Sequence, residues 1–96
     1  MRIFLDDIRS CPDRYTPARS YEAFTRLAAQ NKGNIEEISL DYDLGEMHNG
    51  LDACVFLVEN QIIPGKIRIH STHIHAQKME LYLRSHMPKE VKIERR

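Results

Sequence analysis

The chain has no tryptophan, only two cysteines, and four residues each of glycine and proline. Cys11 and Cys54 are too few and too far apart for a disulfide framework or a cysteine-based zinc motif. Nor is there an excess of either charge, since 14 Lys and Arg balance 14 Asp and Glu. That balance excludes a broad field drawing in nucleic acid or an anionic membrane. A nucleic-acid role would need a local patch, and the end of an RNA is the form left open. No apolar run approaches the roughly 18 residues of a membrane span. The opening Met1 to Asp7 does not read as a secretory signal. The expectation is a cytoplasmic protein with no membrane partner, folded as a single domain over residues 1–96.

With 96 residues, such a domain buries only about 60–65% of its unfolded surface, so the core should be thin. Arg2 to Leu5 reads as a strand stopping at Asp6 and Asp7. A loop carrying Pro12 and Asp13 leads to a second strand, Tyr15 to Arg19. Ser20 is a good N-cap for a helix in which Phe24, Leu27 and Ala28 recur at helical spacing. Gly33 suits a left-handed cap at its end. Ile35 to Leu40 forms a third strand, again closing on acids, Asp41 and Asp43. Leu51, Cys54, Val55, Val58 and Ile62 stripe a second helix that begins at Gly50. Lys66 to His70 is a fourth strand, Ala76, Met79 and Leu83 mark a third helix, and Val91 to Arg95 is a last strand.

Alternating strands and helices imply a mostly parallel sheet with right-handed crossovers, whose ligands sit at the carboxyl edge. Strands sandwiched between helix layers read as unbroken apolar runs. These alternate instead: Ile3 and Leu5, Ile38 and Leu40, Ile67 and Ile69, Val91 and Ile93 are each separated by polar or aromatic residues. One face of the sheet should therefore be buried under helices and the other open. Parity assigns Arg2, Phe4, Ser39, Arg68, Lys92 and Glu94 to the open face, exposed or in a homodimer contact. It also puts Asp6, Asp41 and His70 on the open side of the edge.

Two acidic clusters at equivalent strand ends, Asp6-Asp7 and Asp41 with Asp43, repel one another unless a cation or proton lies among them. Hard carboxylate oxygens suit Mg²⁺, which keeps several waters and shares its shell with a phosphate. After the fourth strand come His70, Ser71 and Thr72. The imidazole can serve as general acid or base near neutral pH, and the hydroxyls can donate to phosphoryl oxygens or cap a helix. Arg9, Arg14 and Arg19 can bind phosphate or remain solvated. His73 and His75 alternate as paired metal ligands do, but no third ligand lies at a convincing spacing. His48 and His86 read as surface residues. A two-histidine phosphoesterase needs two His-x-Ser/Thr motifs, and only His70-Ser71-Thr72 is present.

The order of these features resembles the receiver domain of two-component signalling. On that template Asp6 and Asp7 match metal-binding acids, Asp41 the phospho-acceptor and Ser71 the switch hydroxyl. The match lacks the first and last receiver helices and the Lys-Pro after the final strand, for which Arg95 is a stand-in. A narrower group, the cyclic-phosphate-processing receiver-like domains, fits these departures. Leu5-Asp6-Asp7-Ile8-Arg9 with Pro12 is similar to that family's opening motif. Ser39-Leu40-Asp41-Tyr42-Asp43-Leu44-Gly45, with Tyr42 where His is common, is similar to its central one. Asn49-Gly50-Leu51-Asp52, His70-Ser71 and Met79 fall in register. His73-Ile74 and Ala76 stand where the family usually has Asn-Pro and Gly.

The resemblance implies a reduced flavodoxin-like or receiver-like α/β fold. Its sheet would have five parallel strands in the order 2-1-3-4-5, with about three helices mainly on one face. It also implies a metal-dependent phosphoesterase acting on cyclic phosphate of a nucleotide-like or ADP-ribose-like substrate. Asp6, Asp7, Asp41 and Asp43 would hold Mg²⁺. Asp41 would be nucleophile or base, His70 would protonate the leaving oxygen, and Arg9, Ser71 and Thr72 would bind phosphate. The alternative is a non-catalytic receiver-like module that accepts phosphate on Asp41 or binds a protein partner.

Overall fold

A computed structural model describes residues 1–95. Its elements run β1 (Arg2–Leu5), β2 (Thr16–Ala18), α1 (Tyr21–Gln30), β3 (Glu37–Leu40), α2 (Gly50–Glu59), β4 (Lys66–Ile69), α3 (Ala76–His86) and β5 (Lys92–Arg95). The strands form one sheet in the order β2-β1-β3-β4-β5, every neighbouring pair parallel. This is the expected receiver-like α/β fold. Strand ends differ from expectation by up to two residues because the ladder pairing stops short of one or both ends of β2, β3, β4 and β5. Ile62 is not in α2: the helix stops at Glu59, and Ile62 returns to the core by donating its N–H to Leu57. Asn31, not Gly33, caps α1, with Gly33 taking its positive φ in the turn beyond.

Alternation along the strands sorts the two faces. Ile3, Leu5, Ile38, Leu40, Ile67 and Ile69 are fully buried. They share one cluster with Phe24 and Ala28 of α1, Ala53, Cys54 and Leu57 of α2, and Met79 and Leu83 of α3. Each such side chain contributes roughly 1.5–3 kcal/mol by leaving water, so this layer accounts for most of the stability.

No helix crosses the opposite face among the described residues. Two expectations for that face are corrected. Phe4 is 5% exposed and Ser39 4% exposed, not open to solvent or to a partner. Neighbouring side chains do the covering. The His70 ring lies flat on Phe4 with centroids 4.7 Å apart, and Tyr15 meets Phe4 edge-on at 6.3 Å. Ser39 is sealed by its hydrogen bond to His70. Farther along the sheet, Glu94 Oε1 draws in Lys66 Nζ at 3.2 Å and Arg68 at 3.7 Å, while Lys92 approaches Oε2 at 3.6 Å. That stretch is only partly exposed, apart from Lys92.

Candidate functional site

The parallel register brings the ends of β1, β3 and β4 side by side. Asp6 follows β1 and is completely buried. Its Oδ1 accepts the backbone N–H groups of Ile8 and Arg9, each at 3.0 Å, which bends the chain sharply away from the sheet. Its Oδ2 accepts from Nε2 of His70 at 2.9 Å, with Arg9 Nε 3.7 Å away. Burial pushes the Asp6 carboxyl up, but the two N–H groups and His70 outweigh it and hold the group below the ordinary carboxylate value. A carboxylate only accepts, so Nε2 of His70 carries a proton. Nδ1, 2.8 Å from Ser39 Oγ, then accepts the serine proton if the ring is neutral. His70 thus has both nitrogens engaged and its ring stacked on Phe4.

Asp41 occupies the equivalent place after β3, and its N–H donates to Leu5. One carboxylate oxygen accepts the N–H of Tyr42 at 2.8 Å, and the Ser71 hydroxyl also favours the charged carboxylate. Burial, reinforced by the charge of Asp6, outweighs those effects and raises the Asp41 carboxyl above its ordinary value. Oxygen or nitrogen donor atoms of Asp6, Asp41 and His70 all lie within 4.8 Å of one another. The orientation expected for His70, toward both acids and away from the helices, is therefore present.

Two glycines make this packing possible. Gly45 has φ +68°, and a Cβ there would lie 2.9 Å from Asp7 Oδ2, so its absence leaves room for that carboxylate. Gly50 starts α2 and donates its N–H to Tyr42 at 2.7 Å. A Cβ on Gly50 would collide with the Asp41 carbonyl oxygen and lie 2.7 Å from Met79 Cε. Asn49 and Asp52 fix the helix start by a reciprocal capping box. The Asn49-Gly50-Leu51-Asp52 motif is thus a device for pressing α2 against the Asp41 backbone.

A cavity of about 270 Å³ opens above these strand ends, lined by Asp7, Ile8, Arg9, Asp41, Asp43, Gly45, Ser71, Thr72 and His73. Six of the eight expected site residues face it. Asp6 and His70 do not, lying instead behind its wall. Asp43 accepts the N–H of Gly45 at 2.9 Å, and Arg9 also donates to the His70 carbonyl at 3.0 Å. Arg19 is turned to the carbonyl of Asp6, and Arg14 is exposed in a left-handed turn. Ser71 and Thr72 do not cap α3, whose N-cap position is His75. His48 and His86 are exposed and stack on Tyr21 and Tyr82.

Ile8, Gly45 and His73 line the cavity without having been singled out for it. His73 had a signal, the His73-Ile74-His75 alternation, but one that points to a metal pair. The two rings are 5.1 Å apart with no third ligand completing a set among the described residues; Tyr42 stacks on His73 instead, at 4.5 Å.

A parallel sheet in the order β2-β1-β3-β4-β5, with acids following β1 and β3 and a hydroxyl following β4, is the arrangement of a receiver-like domain. The chain belongs to the family described as the cyclic-phosphate processing Receiver domain, which it matches over residues 1–85. No curated protein and no solved structure matches it. No helix among the described residues is long and apolar enough to cross a membrane.

Proposed function

We propose that this domain binds a cyclic phosphate on a nucleotide-like or ADP-ribose-like molecule and hydrolyses it with the help of Mg²⁺. The observation that carries this reading is Asp41. It is a carboxylate raised in pKa by burial and by a neighbouring acid, standing on a cavity wall with Arg9 and Ser71. Such a group is poised for proton transfer or for charge neutralisation by a ligand.

The donor set fits a hard cation. Asp41, whose ligand atoms lie within 4.8 Å of those of Asp6, would hold the ion with Asp7 and Asp43, which line the same cavity, while Asp6, its oxygens already hydrogen-bonded, would act from behind. When bound, Mg²⁺ supplies electrostatic stabilisation of charge developing on the phosphoryl oxygens. Arg9 and the hydroxyls of Ser71 and Thr72 orient those oxygens. Asp41 accepts the proton of an attacking water as its oxygen bonds to phosphorus. One ester P–O bond of the ring breaks, the departing alkoxide takes a proton from solvent water, and Asp41 returns its proton to solvent, leaving a phosphomonoester. His70 keeps Asp6 ionised and in place; it is a positioning residue.

The test is turnover of 2′,3′-cyclic nucleotides and ADP-ribose cyclic phosphate with and without Mg²⁺. Metal-dependent release of a phosphomonoester, lost in Asp41→Asn, is the expected outcome. Absence of turnover in the wild-type chain overturns the enzymatic reading. A second reading, a phospho-accepting module, is favoured by one feature: Asp41 and Ser71 meet as acceptor and switch hydroxyl do in receivers. Stable labelling of Asp41 by a small phosphodonor, without turnover of cyclic phosphates, would establish it.

A further inference from the structure

We infer that His73, rather than His70, is the imidazole that touches the phosphoryl group, through its Nε2–H. The inference rests on the phosphate-binding reading above and adds to it a residue outside the acid cluster.

His70 is spoken for. One nitrogen serves Asp6, the other faces Ser39, Phe4 covers a ring face, and the side chain is only 12% exposed and off the cavity wall. A phosphate approaching it would have to break a buried charge-assisted hydrogen bond, which is among the stronger side-chain bonds in proteins.

His73 has the opposite character. It is exposed and lines the cavity beside Asp41, Ser71 and Thr72. The N–H of His75 donates to its Nδ1 at 3.1 Å, so Nδ1 must be the unprotonated acceptor. In the neutral ring the proton therefore sits on Nε2, the nitrogen left for a ligand. Phosphoryl oxygens only accept, so a fixed Nε2–H matches them.

The ring is also held. Tyr42 stacks on it at 4.5 Å, and Asn49, the N-cap of α2, donates to the Tyr42 hydroxyl at 3.2 Å. The His73 backbone N–H donates to Ser71 Oγ at 3.1 Å, and the Ser71 hydroxyl in turn favours the charged form of Asp41. A donor aimed by such packing loses little freedom when the ligand arrives.

The experiment uses the whole chain with Mg²⁺, with 2′,3′-cyclic AMP and inorganic phosphate as separate probes. Imidazole ¹⁵N spectra should show His73 with Nδ1 unprotonated in the free protein. Adding 2′,3′-cyclic AMP should shift the His73 signals and leave those of His70 nearly still. By titration, His73→Ala should weaken binding by about tenfold or more, the usual loss for a hydrogen bond to a charged group. His73→Gln, which keeps an N–H donor, should recover part of that affinity, and both variants should melt close to the wild type. A response to phosphate alone would place the contact on the phosphoryl group rather than on the nucleoside. Unchanged affinity in His73→Ala, a protonated Nδ1, or shifts confined to His70 would each overturn the assignment while leaving the phosphate site standing. Failure of the wild-type chain to bind either probe would remove the phosphate-binding reading and this inference with it.

Discussion

Asp6 and Asp41 end neighbouring strands one residue beyond paired positions, Leu5 and Leu40, yet the protein treats them in opposite ways. Around Asp6 every carboxylate oxygen has a partner: two N–H groups, an imidazole and a nearby guanidinium. The group is buried, charged and stabilised. Around Asp41 the partners are fewer, the desolvation is not repaid, and the charge of Asp6 adds to the cost. The first acid belongs to the scaffold. The second carries an uncompensated electrostatic cost at the cavity wall, the kind of local stability cost that functional sites commonly bear. Residue type and position do not distinguish them; the count of inward-facing donors does.

The comparison breaks most visibly at Asp6. Asp6→Ala would orphan the N–H groups of Ile8 and Arg9 and leave His70 with nothing to donate to in a buried setting. A loss of about 3–5 kcal/mol is expected, as for a buried ion pair deprived of one partner. Urea denaturation measures it. A loss under about 1 kcal/mol, the range of an exposed ion pair, would mean that Asp6 is not the anchor its hydrogen bonds imply.

Next in size is Gly50→Ala. The added methyl must displace either the Asp41 carbonyl or α2, and overpacking of this kind costs about 1–3 kcal/mol. Mg²⁺ bound at the proposed site should raise the melting temperature of the wild type, and because the strain falls on the Asp41 backbone, this variant should lose that rise. A destabilised variant with an intact Mg²⁺ response would separate packing of α2 from geometry of the site.

Asp41→Asn should act in the other direction. Asparagine can still accept from Tyr42, and it removes a carboxylate whose charge the fold disfavours. Without metal, stability should rise by about 0.5–2 kcal/mol, the range seen when a functional group is relieved. The thermal shift with Mg²⁺ should vanish. If Asp41→Asn instead destabilises the chain as Asp6→Ala does, the division of roles between the two acids is wrong.

Much of this was legible in the sequence, and for physical reasons. Period-two alternation in β1, β3 and β4 made the one-sided burial readable, and acids at matching strand ends located the carboxyl edge. The same alternation misled on Phe4 and Ser39. Parity says which face a side chain leaves by, not what folds over it afterwards. Here the cover is His70 reaching back along the sheet and Tyr15 from the residue just before β2, a tertiary contact with no local signature. His70 and His73 illustrate the same limit. Both follow β4 within four residues, but only three-dimensional partners reveal that one is consumed by Asp6 and the other faces the cavity. The capping box at Asn49 and Asp52 was readable in principle, since Asn followed by Asp three residues later before an apolar stripe is a helix-start pattern.

The smallest effect sharpens the comparison through pH, measured without metal so that only the carboxylates respond. Asp6 has a folded pKa below the ordinary carboxylate value of 3.8. Between the two values the unfolded chain binds more protons, so stability rises with pH there. Its stabilisation is therefore complete above about 3.8 and is lost as pH falls through the lower, folded value. Asp41 has a folded pKa above 3.8, so in its window the folded chain binds more protons and stability falls as pH rises. The penalty begins near 3.8 and is fully in force above the folded value. The two acids thus bend the acid limb of the stability curve in opposite senses on either side of one pH. Asp41→Asn should remove the decline above that point and preserve the loss below it. Asp6→Asn, in a background stable enough to measure, should flatten the lower limb and also soften the upper one, because the charge of Asp6 is part of what raises Asp41. Urea titrations at half-unit intervals from acid to neutral pH read both limbs. Superimposable profiles for Asp41→Asn and the wild type would show that Asp41 ionises in the folded protein as it does in the unfolded chain, and the contrast between the two strand ends would lose its electrostatic basis.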